Sequence, residues 1–192
     1  IERTKALKVL NGENLAAEMG PIVTEAARQR IRGYIDAGVA EGAKLLVDGR
    51  VFDGAQAGAG CEQGFWLGGT LFDHVSTEMK IYKEEIFGPV VTLQPFHSLE
   101  EALILANATT YGLACTIWTQ DISKANHVAS KIESGIVWIN CWLERDLRTP
   151  FGGVKNSGVG REGGWVAPSF RRTRQTRKTS AETSIAVVVD IR

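Results

Sequence analysis

The feature that most constrains the fold of this chain is a run of alternating elements between residues 90 and 139. "VVTLQPF" has the apolar, β-branched make-up of a buried strand. Ser98 and Glu101 then supply the capping-box pattern ahead of the helical stretch "LEEALILANAT". "YGLACTIWT" reads as the next strand. Asp121 caps "ISKANHVASKIES", where Ile122, Ala125, Val128, Ala129 and Ile132 share one helical face. Gly135 stops that helix, and "IVWIN" is another strand. Strands joined by connections this long pair in parallel, so the expected fold class is α/β: a layered, mostly parallel sheet with flanking helices.

The preceding residues fit the same class. In "TEAARQRIRGYIDAGVAEGAKL", Ala27, Ile31, Ile35 and Val39 recur at helical spacing, with Thr24 as N-cap and Glu25 in the first turn. "AKLLVDG" reads as a short strand into a turn. The Gly- and Ala-rich residues 50 to 64 read as an exposed loop, and "FWLGGTLFDHV" as a strand broken by Gly68-Gly69. Composition shifts after Gly164, with five cations packed into residues 171 to 178. The chain is therefore divided into residues 1–164 and an atypical basic tail, 165–192. That tail reads first as solvated or disordered chain. A closing strand at 185–191 and binding to an acidic partner are the other readings.

Charge and composition remove several function classes. The formal net charge is zero, which gives no general grip on nucleic acid. No apolar run approaches the roughly 20 residues of a membrane span. The first residues lack a signal-peptide pattern and an initiator Met, and enter in mid-pattern, as expected of a processed chain or a fragment. Cys61, Cys115 and Cys141 form neither a disulfide framework nor a metal pair and suit reduced thiols, hence a cytoplasmic setting. His74, His97 and His127 are scattered, and no metal site is expected.

Two glycine-rich motifs are misleading. "GVGREG", residues 158 to 163, matches G-x-G-x-x-G, but the loop "PFGGVKNS" precedes it where a dinucleotide fold needs a buried strand. "GGVKNSG" echoes a phosphate loop without its spacing. These glycines are expected to serve backbone packing and positive φ angles. More informative is "KEEIFGPVV", residues 83 to 91, which sets a carboxylate against an apolar wedge ending in Gly-Pro. Read plainly, Glu85 is a surface acid and Phe87 a core residue.

"EEIFGPV", "YGLACTIWTQD", "GIVWINCW" and "TPFGGVKNSGVGREGG" stand in register after "GPIVTEAARQRIRGYIDAGVAEGAKLLVDG". Together, from near Ile1 to Gly164, they resemble the C-terminal part of the catalytic domain of NAD(P)-dependent aldehyde dehydrogenases. "NCWLERDLRTPFGG" is most similar to the hydroxymuconic and aminomuconic semialdehyde dehydrogenases of aromatic catabolism.

The resemblance implies site residues. Glu85 would accept hydrogen bonds from the nicotinamide ribose, since a carboxylate offers two acceptors to a diol, and Phe87 would lie against the nicotinamide. Phe151 would line the aldehyde tunnel, or simply pack in the core. Arg145 and Arg148 would bind the carboxylate of a muconic semialdehyde as planar forks; the alternative is a surface salt-bridge cluster around Asp146. The cofactor would be NAD or NADP, with NAD favoured, the substrate a small aldehyde, and the whole enzyme a homo-oligomer.

By the same resemblance, the nucleophilic cysteine, general-base glutamate, oxyanion asparagine and Gly-rich cofactor domain would lie upstream of Ile1, so no catalytic residue is assigned within the chain and alone it is expected to be inactive. The tail does not resemble the family's closing strand. The competing reading is a non-catalytic pseudoenzyme or interaction module that keeps the fold.

Overall fold

A computed structural model describes residues 1–163, together with the backbone of residues 176–179 and 186–190. The chain forms two compact units, Ile1–Pro95 and Phe96–Arg192.

The first unit is organised around helix α2, Glu25–Ala40, which follows the short helix α1, Glu2–Lys5. Thr24 caps α2 as expected, its hydroxyl accepting from Ala27 N at 3.1 Å. Ile31 and Ile35 are fully buried on the predicted face, each worth roughly 1.5–3 kcal/mol of apolar burial. The stripe then passes to Gly38 rather than Val39, which is exposed. Strands β1 (Lys44–Val47), β2 (Thr70–Asp73) and β3 (Val90–Thr92) form a sheet in that order. β1 pairs antiparallel with β2, and β2 parallel with β3. Between β2 and β3, helix α3, Lys80–Lys83, contributes Ile81 and Tyr82 to the core with Ile31, Ile35, Leu67, Phe72 and Ile86.

Two further expectations fail in this unit. Residues 50–64 are not simply an exposed loop, because two 3-10 turns fold them over a small core of Val9, Ala57, Cys61 and Trp66. The Trp66 indole N–H donates to Cys61 O at 2.6 Å. "VVTLQPF" gives a strand of only three residues, and Val91 and Leu93 are exposed. An apolar run does not say which of its faces a helix covers.

The second unit carries the fullest sheet, in the order β8-β6-β5-β9. β5 (Ala114–Trp118), β6 (Ile136–Ile139) and β8 (Thr176–Thr179) run parallel, while β9 (Ala186–Asp190) pairs antiparallel with β5. Cys115, Ile117, Val137 and Ile139 face helices α4 (Leu99–Asn107) and α5 (Ile122–Lys131), packing with Leu103, Ala125, Val128, Ala129 and Ile132. Ala114, Ile136 and Trp138 face the other way with Cys141. The period-two alternation therefore buries both faces of these strands, as expected for a parallel sheet. β4 (Tyr111–Gly112) and β7 (Val154–Lys155) form a separate antiparallel pair.

Ser98 caps α4 through Glu101 N at 3.1 Å, but the Glu101 carboxylate accepts from His97 N rather than Ser98 N. Asp121 caps α5 through Lys124 N at 3.0 Å, and Ile122, in the first turn, points out of the predicted face. α5 ends at Lys131, before Gly135. The role of Gly135 is steric: a Cβ there would fall 1.7 Å from the carbonyl oxygen of Gly152. β9 falls within residues 185–191, while the basic run at 171–178 lies mostly outside the described residues. Among the described residues no helix is long and apolar enough to cross a membrane, and no cluster of His, Cys, Asp or Glu could hold a metal ion.

Candidate functional site

The predicted site residues fall into two sets, one in each unit. The first is the turn after α3. Its chain is fastened at alternate positions. Glu84 accepts from the Tyr34 hydroxyl at 2.7 Å. Ile86 is buried in the core. Gly88 lies so close to Ile31 that a Cβ would meet its Cδ1 at 2.6 Å. Pro89 O accepts from Thr70 N at 2.8 Å.

Glu85 and Phe87 are left over. Glu85 is half-buried and makes no hydrogen bond or ion pair among the described residues. Phe87 is 72% exposed, so it is no core residue. It also has φ of +53°, a left-handed conformation that costs a bulky side chain about 1–2 kcal/mol. An exposed ring on strained backbone beside an unengaged carboxylate is not explained by packing. Chemically, two free acceptor oxygens and an apolar ring suit a diol joined to a flat heterocycle.

The second set lies in the loop after β6. Asn140, also at positive φ, clamps the strand ends: its Oδ1 accepts from Thr119 N at 2.8 Å and its Nδ2 donates to Thr119 O at 2.7 Å. Trp142 packs edge-on against Trp138 at 5.3 Å, and the Trp138 indole donates to Glu144 O at 3.1 Å. The loop is thereby fixed against the sheet. A cleft of about 10 Å³, room for one water, is lined by Ile136, Trp138, Arg145, Thr149 and Phe151 among others.

Arg145 and Phe151 come together at this cleft. The guanidinium carbon stands 3.9 Å from the centre of the Phe151 ring, a close cation–π contact. Nη2 also donates to Glu162 Oε1 at 3.0 Å. Phe151 is half-buried and packs against the Ala114–Ile136–Trp138–Cys141 cluster, so it serves the core and the cleft together.

Arg148 does not line the cleft. Its side chain is 89% exposed and forks onto Asp146, with Nε–Oδ1 at 3.0 Å and Nη2–Oδ2 at 2.6 Å. Of the two arginines flanking Asp146, this is the one that forks onto it, and Asp146 keeps its guanidinium even more firmly protonated than usual. Glu162, the partner of Arg145, was not among the expected site residues. It lies 17 positions along the chain, and no local pattern links the two.

The remaining motifs have structural occupations. Lys155 donates from Nζ to Asn107 O at 2.9 Å and Thr109 O at 3.0 Å, and pairs with Glu133 at 2.6 Å. It thus closes the C-terminal end of α4 and is no phosphate-binding lysine. Gly158, Gly160 and Gly163 take positive φ, and residues 158–163 are themselves non-helical. All three cysteines are buried, and burial pushes the Cys115 thiol up to about 12, which keeps it from forming a thiolate.

The sequence matches the Aldehyde dehydrogenase family over residues 1–176. The chain belongs to that family. It is 42% identical to the 2-hydroxymuconic semialdehyde dehydrogenase of Pseudomonas putida over 160 residues, covering 83% of this chain and 32% of that enzyme. It is 48% identical to the malonate-semialdehyde dehydrogenase of Pseudomonas aeruginosa over 158 residues, covering 82% and 31%. The crystal structure of betaine aldehyde dehydrogenase from Staphylococcus aureus in complex with NAD+ superposes with a TM-score of 0.81 at 40% identity, over 87% of this chain and 32% of that one. This aldehyde dehydrogenase chain thus spans about a third of the length of the relatives it matches.

Proposed function

We propose that residues 1–164 serve as the later part of the catalytic domain of an NAD(P)-dependent aldehyde dehydrogenase whose aldehyde substrate carries a carboxylate, of the muconic semialdehyde type. The observation that carries the substrate reading is Arg145 stacked over Phe151 at the cleft. Among the similar enzymes, the hydroxymuconic and malonate semialdehyde dehydrogenases are named for acidic aldehydes, whereas betaine aldehyde is a cation. An arginine at the cleft suits the former and repels the latter.

Bound NAD(P), with NAD favoured, would take the hydride from the aldehyde carbon. Glu85 would hold the nicotinamide ribose through its two carboxylate oxygens, and Phe87 would offer its exposed ring to the nicotinamide. Arg145 would orient the substrate through its distal carboxylate, and Phe151 would form an apolar wall. Arg148 is left in its exposed pair with Asp146 and takes no direct part in holding the substrate. The nucleophile is assigned to none of the three buried cysteines, and the chain alone is expected not to turn over aldehydes. The assembled enzyme would be a homo-oligomer, as the family resemblance implies, and cytoplasmic, as the three unpaired thiols suit.

The test is Arg145→Ala in a full-length enzyme carrying this chain as its catalytic-domain segment. The expected loss in kcat/KM for a muconic semialdehyde is about 30- to 150-fold, or roughly 2–3 kcal/mol. Neutral aldehydes of similar size should change little. Equal losses for both substrates would give Arg145 a structural role and remove the carboxylate from the proposal.

A further inference from the structure

We propose that Glu162 is a positioning residue that sets the charge selectivity of the Arg145 cleft, by occupying the guanidinium as an internal stand-in for the substrate's carboxylate. This rests on the assignment of Arg145 to substrate charge.

The geometry begins with the backbone. Phe151 N donates to Glu162 O at 2.9 Å, and Glu162 N donates to Phe151 O at 2.8 Å. The two residues are therefore locked as a bridged pair, and the Glu162 side chain leaves from a frame fixed relative to the Phe151 ring. Its Oε1 takes Nη2 of Arg145 at 3.0 Å, while the face of the guanidinium is held by the ring at 3.9 Å. One contact sets the plane of the fork and the other sets its rotation within that plane. Neither residue that fixes Arg145 is its neighbour in sequence.

Three consequences follow for a ligand. At rest the arginine charge is neutralised by a carboxylate, so an uncharged aldehyde does not meet a bare cation. One edge of the fork is engaged through Nη2, and no other hydrogen bond of the guanidinium occurs among the described residues. A substrate carboxylate must either share the guanidinium with Glu162, against like-charge repulsion, or displace it.

Solvent decides how hard that displacement is. The side chains of Arg145 and Glu162 are 43% and 70% exposed, so the pair is weak and exchangeable. Were it buried, Arg145 would be locked away from any ligand. Exposure makes Glu162 a mild competitor, one that trims affinity for acidic aldehydes while keeping the fork aimed.

The experiment compares Glu162→Gln and Glu162→Asp in the full-length enzyme carrying this chain. KM is measured for a muconic semialdehyde and for a neutral aldehyde of similar size, at low and high salt. Gln keeps an acceptor oxygen and the backbone bridge but removes the charge. The ratio of the charged to the neutral KM is expected to fall about two- to five-fold in Glu162→Gln. In Glu162→Asp, which keeps the charge but is one methylene shorter from the same backbone frame, the fall should be smaller than in Glu162→Gln, and the Gln effect should shrink as salt screens the exposed charges. A ratio that is unchanged or raised in Glu162→Gln overturns the inference. If Arg145→Ala is selective against the acidic substrate and Glu162→Gln is not, only this inference falls. If Arg145→Ala is itself unselective, the underlying assignment falls with it.

Discussion

The turn carrying Glu85 and Phe87 and the loop carrying Arg145 present their side chains in opposite ways. In the turn, every neighbouring residue is tied down and the two candidates are left bare: Glu85 has no polar partner among the described residues, and Phe87 stands exposed on left-handed backbone. In the loop, the candidate is itself tied down, with Arg145 stacked on Phe151 and paired with Glu162. The difference follows from chemistry. A carboxylate waiting for hydroxyl donors can be left to water at little cost when only half-buried. A long, flexible guanidinium loses about 2 kcal/mol of rotamer freedom when fixed, so contacts that pre-arrange it reduce what a ligand must supply. The bare site depends on backbone geometry, and the engaged site depends on side-chain partners.

That contrast can be tested first at Glu85. Glu85→Gln keeps one acceptor and removes the charge, with no existing partner to lose. We expect cofactor binding in the full-length enzyme to weaken by roughly 1–2 kcal/mol, about 5- to 30-fold in the cofactor KM, with the melting temperature unchanged. A large fall in melting temperature would mean that Glu85 is structurally engaged, and the two regions would no longer differ.

A smaller effect of opposite sign is expected at Phe87. Glycine populates the left-handed region freely, and little buried area is lost with a ring that is 72% exposed. Phe87→Gly should therefore stabilise the protein by about 0.5–1 kcal/mol, the strain relieved less the added unfolded-chain entropy, while weakening cofactor affinity. Chemical denaturation checks the first half and the cofactor KM the second. A destabilised variant would show that the ring packs in the native state and would return Phe87 to the core.

How much of the molecule is legible in the sequence depends on how local each determinant is. Thr24, Ser98 and Asp121 are readable as caps because a cap and its target lie three residues apart. The α/β class is readable from the order of the elements. Ile86 is readable as core, but Phe87 is not readable as exposed, since no residue type announces positive φ in a phenylalanine. Gly135 reads as a helix stop, yet its constraint is the carbonyl of Gly152, 17 residues away in the chain. "VVTLQPF" reads as buried, yet hydropathy does not report what covers a strand. At the cleft, Arg145 and Phe151 can be named from their motif, whereas Glu162 needs the backbone bridge that only the folded chain reveals.

Arg148 sharpens the comparison from the other side, and its expected effect is the smallest. It is a tied-down arginine like Arg145, but its tether is local. Asp146 lies two residues back, accepts from the Arg148 backbone N–H at 2.9 Å, and takes the guanidinium through both oxygens. There is no aromatic face beneath it among the described residues, and it does not line the cleft. An exposed pair of this kind should contribute little to either stability or binding. Arg148→Ala should leave kcat/KM within about two-fold of wild type for acidic and neutral aldehydes alike, in line with the weakness of exposed pairs. The Asp146 turn should persist, because its backbone contacts to Arg148 N and Thr149 N do not use the removed side chain. Kinetics on the two substrates decide the matter. A selective loss against the acidic aldehyde comparable to that of Arg145→Ala would mean that Asp146 releases Arg148 to the ligand. Engagement by a partner would then not distinguish the working arginine from its neighbour, and the ring beneath Arg145 would no longer mark the arginine that meets the substrate.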